Sequence, residues 1–341
     1  MDHKWRRLDH HADKLFRCSK LLCTVNRLQL LNFLNMTDLI LSPIYYPRRS
    51  SSVEHLTLRG NVRYQIRRWS TPAAVTLQRP TLVLAPGWMD VGASFQFMMD
   101  HMTNDRHVIA LDWRGFGGSS VPAPIDSYCF NDYLGDLDAL VDQVAPDAPI
   151  DLLGHSMGGN IVMSYAGLRP ARIRRLVNLE GFGLPDTSAH DAPVRLVQWL
   201  DELKVPQRFR SYASVEDVVA RLVKNSPHLK PECGAWLARN WATLESDGRW
   251  WVLGDPAHRR VNPVLYRREE ALACWRAITA PLLWVEGANT DVGDRYPRSE
   301  FNSRLAIVAE VKRVVINDCG HMLHLDQPEA LARTIEEFLG S

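Results

Sequence analysis

Short apolar runs punctuate the chain at regular intervals. Thr81–Ala85, Val108–Leu111, Ile150–Leu153, Arg175–Leu179, Leu282–Glu286 and Arg313–Ile316 are apolar at nearly every position. Strands covered on both faces read this way, because neither side chain direction meets water. Glu54–Leu58 and Val62–Ile66 instead alternate apolar and polar residues around Arg59-Gly60-Asn61, which predicts an antiparallel hairpin at a sheet edge. Between these runs the period changes to that of a helix. Residues 94–102 can form one. Residues 131–144 carry Tyr133, Leu134, Leu137, Leu140, Val141 and Val144 on one face, and residues 328–339 carry Leu331, Ile335, Phe338 and Leu339. Alternating strands and helices predict an α/β fold with right-handed crossovers and a mostly parallel sheet.

The pattern breaks between about Gly183 and Arg276. This stretch is helical in period and rich in Trp and Arg. Ser214-Val215-Glu216-Asp217 opens a helix with Val218, Val219, Leu222 and Val223 on one face. Its tryptophans, Trp199, Trp236, Trp241, Trp250, Trp251 and Trp275, are expected mainly to pack this segment on the rest of the protein. Trp250 and Trp251, beside Asp247-Gly248-Arg249, are candidates for a pocket wall.

Composition narrows the partners. The 341 residues are 46 % apolar and 23 % charged, as in a soluble globular protein with a substantial core. A formal net charge of +1 offers nothing to nucleic acid or to an acidic membrane surface, and no apolar run reaches bilayer length. Six scattered cysteines without a C-x-x-C pair suggest neither a zinc site nor a disulfide framework, and fit a cytoplasmic setting. Residues 1–50 differ from the rest. Leu21–Val25 is too short for a secretory core, and Asp2, Asp9 and Asp13 argue against a transit peptide. A poorly ordered extension without chemistry is expected there, with Met36 as a plausible alternative start.

Chemistry concentrates at Gly154-His155-Ser156-Met157-Gly158, a G-x-S-x-G sequence between a strand and a helix. A sharp strand-to-helix turn lifts a serine hydroxyl clear of the sheet, and the helix N-terminus favours negative charge beside it. A serine hydroxyl needs an adjacent base to act as a nucleophile at neutral pH. His321 lies in the loop after the last strand, preceded by Gly320, and is the candidate base. His324 is its rival, and His155 is expected to pack beside the nucleophile.

With Pro86-Gly87-Trp88-Met89-Asp90, Asp112-Trp113-Arg114-Gly115-Phe116-Gly117-Gly118-Ser119, Gly154–Gly159 and Gly320-His321-Met322 in order, residues 54–341 resemble the α/β-hydrolases. The resemblance is greatest to single-domain serine esterases and serine-hydrolase-like proteins. It implies a core of residues 51–182 and 277–341, with residues 183–276 as a helical cap. It also implies a Ser–acid–His triad in chain order. Asp291, in the loop after Leu282–Glu286, is the expected acid. Glu180, at the end of Arg175–Leu179, is the alternative, and Asp294 a third candidate. The backbone N–H groups of Met157 and Trp88 would form the oxyanion hole, and Asp112–Gly115 would shape the adjacent loop. A serine nucleophile disfavours the dehalogenases and epoxide hydrolases of this fold, which use aspartate. The expected activity is carboxylic-ester hydrolysis through an acyl-enzyme. Carbon–carbon bond hydrolysis, lactone opening, perhydrolysis and a receptor-like binding role stand as alternatives. The expected partner is a small-molecule ester, with no cofactor and no metal; the oligomeric state stays open.

Overall fold

A computed structural model describes residues 44–70, 79–291 and 297–340. The expected extension, residues 1–50, lies mostly outside them, as does Asp294.

Eight strands form one sheet in the order β1-β2-β4-β3-β5-β6-β10-β11. These are β1 (Ser52–Thr57), β2 (Arg63–Trp69), β3 (Leu82–Ala85), β4 (Val108–Leu111), β5 (Ile150–His155), β6 (Ile173–Leu179), β10 (Leu282–Gly287) and β11 (Val311–Ile316). β1 and β2 are the expected hairpin, turned at Gly60 with φ 66°, and β2 runs antiparallel to β4. Every other pairing in this sheet is parallel.

The period of two divides the core. Val83, Ala85, Ile109, Leu111, Leu152, Leu176 and Trp284 face one layer of helices. That layer is α2 (Phe130–Val144), α3 (Met157–Leu168), α7 (Arg268–Arg276) and α8 (Arg298–Leu305). Leu82, Leu84, Val108, Ala110, Leu153, Val177, Leu283 and Val285 face the other layer, where α1 (Gln96–Met99) and α10 (Pro328–Gly340) pack. Both faces of the central strands such as β3 and β4 are buried, so these are apolar throughout rather than alternating, whereas the edge strands β1 and β11 are largely exposed.

Two expectations need correcting. Residues 94–102 form no single helix: a 3-10 turn over Gly92–Phe95 runs into the four-residue α1. The segment between β6 and β10 is not wholly helical either. Besides α4 (Ala192–Leu203), α5 (Val215–Asn225), α6 (Pro231–Trp241) and α7, it holds a small antiparallel sheet. Its strands are β7 (Ser211–Tyr212), β9 (Trp250–Val252) and β8 (Ala242–Leu244), in that order. Strands of two and three residues are too short to show a period of two. The Ser214 hydroxyl accepts the Asp217 N–H and so caps α5, as its sequence predicts.

Candidate active site

Ser156 sits between β5 and α3 with φ 53° and ψ −114°, a conformation that non-glycine residues rarely adopt. Such strain costs roughly 1–3 kcal/mol and persists only where the surroundings impose it. Two glycines make the turn possible. A Cβ at Gly154 would lie 2.4 Å from the Gly158 carbonyl oxygen, and one at Gly158 would lie 2.3 Å from the Ala85 carbonyl oxygen. The Ser156 N–H donates to Leu179 O at 2.8 Å, which ties the turn to the end of β6.

The Ser156 hydroxyl is 2.9 Å from His321 Nε2, and His321 Nδ1 is 3.1 Å from Glu180 Oε2. The carboxylate beside His321 is therefore that of Glu180. Asp291, the acid expected from sequence, is exposed and makes no hydrogen bond to His321 among the described residues. Glu180 ends β6, the immediate neighbour of β5. The loop after β10 also reaches this position, but through Thr290, and Asp291 lies one residue beyond it and exposed.

Glu180 is 1 % exposed and has φ 59°. Its other contacts hold it rigidly. Oε1 accepts the Gly287 N–H at 2.7 Å, and Oε2 accepts the Thr290 hydroxyl at 2.5 Å. The loop after β10 thus contributes donors to the carboxylate rather than a carboxylate of its own.

The loop carrying His321 is fixed from two sides. Asp326 Oδ2 accepts the Gly320 N–H at 2.9 Å. His155 Nε2 donates to the His321 carbonyl oxygen at 2.8 Å. Burial pushes the His155 pKa well below its ordinary value, so this imidazole is neutral and its proton is on Nε2. His155 packs beside Ser156 and against the His321 ring, as its position in the pentapeptide suggests. His324 is fully buried, and its Nε2 lies 3.1 Å from Ser94 Oγ and 3.3 Å from Asp90 Oδ2 rather than near Ser156.

Asp90, His155 and His324 are the described residues whose clustering resembles a metal site, their donor atoms lying within 4.8 Å of one another. A tetrahedral zinc site with bonds near 2.0–2.1 Å brings its ligand atoms to roughly 3.4 Å apart. Here Asp90 and Ser94 already occupy His324 Nε2, and the Ser94 hydroxyl donates to Asp90 Oδ2 at 2.9 Å. The cluster works as a buried hydrogen-bond network joining the Asp90 loop to α9 (Leu323–Asp326), just after His321.

The N–H groups of Trp88 and Met157, expected to form an oxyanion hole, have no acceptor among the described residues. Met157 is the first residue of α3, where N–H groups lack intrahelical partners. Trp88 lies in the loop after β3. Its side chain is 51 % exposed and stands edge-on to Phe116. Gly87 lies against Ser156, since a Cβ there would be 3.3 Å from Ser156 Cβ. Asp112 orders the neighbouring loop by accepting N–H groups from Gly92 at 2.7 Å and Gly118 at 2.9 Å. Trp250 and Trp251 are on β9. The Trp251 indole donates to Asp247 at 3.1 Å, and no hydrogen bond or ring contact joins either residue to Ser156 or His321 among the described residues.

Sequence reasoning did not assign Thr290 to the site, nor the tie from Asp90 to His324. The only sequence signal for the first was a hydroxyl next to a strand-end glycine loop. For the second it was a second histidine three residues after His321.

The mostly parallel sheet and the sharp turn at Ser156, with His321 and Glu180 in line beside it, point to one fold family. The family profile described as alpha/beta hydrolase fold matches residues 80–328. The chain belongs to this family and is a hydrolase. It is 28 % identical over 309 residues to a 3-hydroxybutyrate-oligomer hydrolase of Cupriavidus necator, covering 86 % of this chain and 98 % of that one. It is 25 % identical over 252 residues to the esterase YbfF of Escherichia coli, covering 70 % and 84 %. Among solved structures, the thioesterase domain from the curacin biosynthetic pathway superposes with a TM-score of 0.74 at 24 % identity, covering 84 % of this chain and 99 % of the domain. No helix among the described residues is long and apolar enough to cross a membrane.

Proposed function

We propose that this protein hydrolyses a carboxylic ester through an acyl-enzyme on Ser156, with His321 as base and Glu180 as acid. The observation that carries the reading is the continuous chain Ser156 Oγ–His321 Nε2 at 2.9 Å and His321 Nδ1–Glu180 Oε2 at 3.1 Å. His321 accepts the Ser156 proton as Oγ attacks the ester carbonyl. The tetrahedral oxyanion is met by the N–H groups of Met157 and Trp88. Collapse expels the alcohol, which takes the proton from His321, and water then repeats the sequence to release the acid. Buried Glu180 keeps the His321 proton on Nδ1 before attack and stabilises the imidazolium afterwards.

The segment from Gly183 to Arg276 is read as a cap. The Gly117 N–H donates to Leu253 O and the Asp255 N–H to Gly115 O, which fastens the segment to the loop after β4. Ester substrates are favoured over diketones and lactones by two relatives, one named as an esterase and one as a hydrolase of 3-hydroxybutyrate oligomers, which are themselves esters. A short ester of a hydroxy acid is accordingly the first substrate to try.

The test is a panel of p-nitrophenyl esters of increasing chain length, a 3-hydroxybutyrate dimer, a lactone and a carbon–carbon diketone. Turnover of the esters with kcat/KM above the other two classes is expected. Cleavage of the diketone or lactone alone would replace the ester reading.

A further inference from the structure

The loop that presents the Trp88 amide is a tight turn. The Asp90 N–H donates to Gly87 O at 3.3 Å, and Met89 has φ 57°. A side-chain-bearing residue at such an angle is costly and must be held by its neighbours. Two indoles grip the loop on either side of Trp88. Trp113 Nε1 donates to Pro86 O at 2.8 Å, and Trp241 Nε1 donates to Met89 O at 2.6 Å.

The two grips come from different parts of the chain. Trp113 belongs to the loop after β4. Trp241 is the last residue of α6, inside the segment inserted between β6 and β10. It is 8 % exposed, and its own carbonyl accepts the Leu253 N–H at 2.9 Å, which locks its backbone to the end of β9. The Met89–Asp90 peptide is therefore oriented by a donor from the inserted segment. Release of that carbonyl would let the peptide rotate, and the Trp88 N–H, two peptides back and tied to it by the Asp90 N–H on Gly87 O, would lose its aim.

We propose that Trp241 is a positioning residue for the oxyanion hole. Its indole N–H holds the Met89 carbonyl and thereby the Trp88 amide. This rests on the reading of Trp88 and Met157 as oxyanion donors. Rearrangement of the inserted segment would then alter transition-state stabilisation as well as substrate access.

The experiment compares Trp241→Phe with Trp236→Phe. Trp236 is on the same helix, and its ring packs on Tyr45 and Phe97 with Arg67 over its face. Both variants are assayed for ester turnover and for the rate of Ser156 labelling by a fluorophosphonate. In labelling, the Oγ–P bond forms, the P–F bond breaks, fluoride leaves, and His321 takes the serine proton. The phosphoryl oxygen draws on the same N–H donors.

Trp241→Phe is expected to lower kcat and the labelling rate together by roughly ten- to a hundred-fold, less than outright removal of an oxyanion donor, with KM close to wild type. Trp241→His, which restores a ring N–H, should recover part of both losses. Trp236→Phe should lower Tm while leaving both rates unchanged. Wild-type rates in folded Trp241→Phe, or a rise in KM alone, would overturn the proposal. A wild-type protein that is labelled but turns over no ester would refute the ester reading, while the labelling comparison still decides the role of Trp241. Absence of any label on Ser156 would refute both.

Discussion

Glu180→Gln should be far more damaging than its one-atom change suggests. Glu180 Oε1 accepts the Gly287 N–H at 2.7 Å, so a glutamine can place only its carbonyl oxygen there. The flipped amide would set two buried donors against each other, at a cost of about 1–3 kcal/mol. The glutamine NH2 then faces His321 Nδ1, which must become an acceptor. His321 is left with its proton on Nε2, pointing at Ser156, and cannot take the hydroxyl proton. The wrong tautomer in such triads costs about 10⁴ in kcat, or about 5.5 kcal/mol of transition-state stabilisation. Asp291→Asn, in an exposed loop, should stay within a few-fold of wild type. Steady-state turnover of an aryl ester by both variants, each shown by circular dichroism to be folded, makes the comparison. A crippled Asp291→Asn beside a near-normal Glu180→Gln would return the role to the loop after β10.

Three further outcomes follow from the packing and the titration of the site. Gly158→Ala should lower Tm and abolish Ser156 labelling, because its Cβ would stand 2.3 Å from Ala85 O and 2.5 Å from Pro86 O, forcing α3 away from β3. A Gly158→Ala protein with wild-type melting and labelling would contradict the close approach. His258 is stacked between Phe116 and Tyr128, and burial pushes its pKa down to about 4. The unfolded chain takes up the proton first, so this group's contribution is intact above pH 6.5 and lost as pH falls toward 4, amounting to at most about 3 kcal/mol. Buried Asp112, whose pKa burial raises to about 6, acts in the opposite sense by stabilising the folded state on acidification. Melts of wild type and His258→Phe from pH 7.5 to 4.5 separate the two: wild type should lose stability relative to the variant on acidification, and parallel curves would refute the assignment.

Much of this architecture is legible in the chain because both faces of the sheet are covered. Val108–Leu111 and Leu282–Val285 are buried at every position and so read as apolar runs, and their turns carry glycines where backbones touch. Ser156 and His321 are equally readable, since each is marked by local geometry: an elbow for one, a glycine before the histidine for the other. The acid is not marked in this way. A carboxylate after a strand occurs at both Glu180 and Asp291, and only the tertiary contact of His321 Nδ1 with Glu180 Oε2 separates them, a non-local fact. The short strands β7, β8 and β9 are set by pairing with one another rather than by their own pattern. Trp241 reads as packing until its indole is seen to reach Met89 O.

The proposed chemistry passes through a covalent acyl-enzyme on Ser156. Mass spectrometry of the protein quenched during turnover of a slowly deacylating aryl ester tests it most directly, with Ser156→Ala alongside. One acyl group per chain is expected, carried by the peptide containing Ser156, and in the folded variant no adduct and a kcat lower by several orders of magnitude. An adduct on another residue, or a Ser156→Ala protein that still hydrolyses the ester at the wild-type rate, would contradict it.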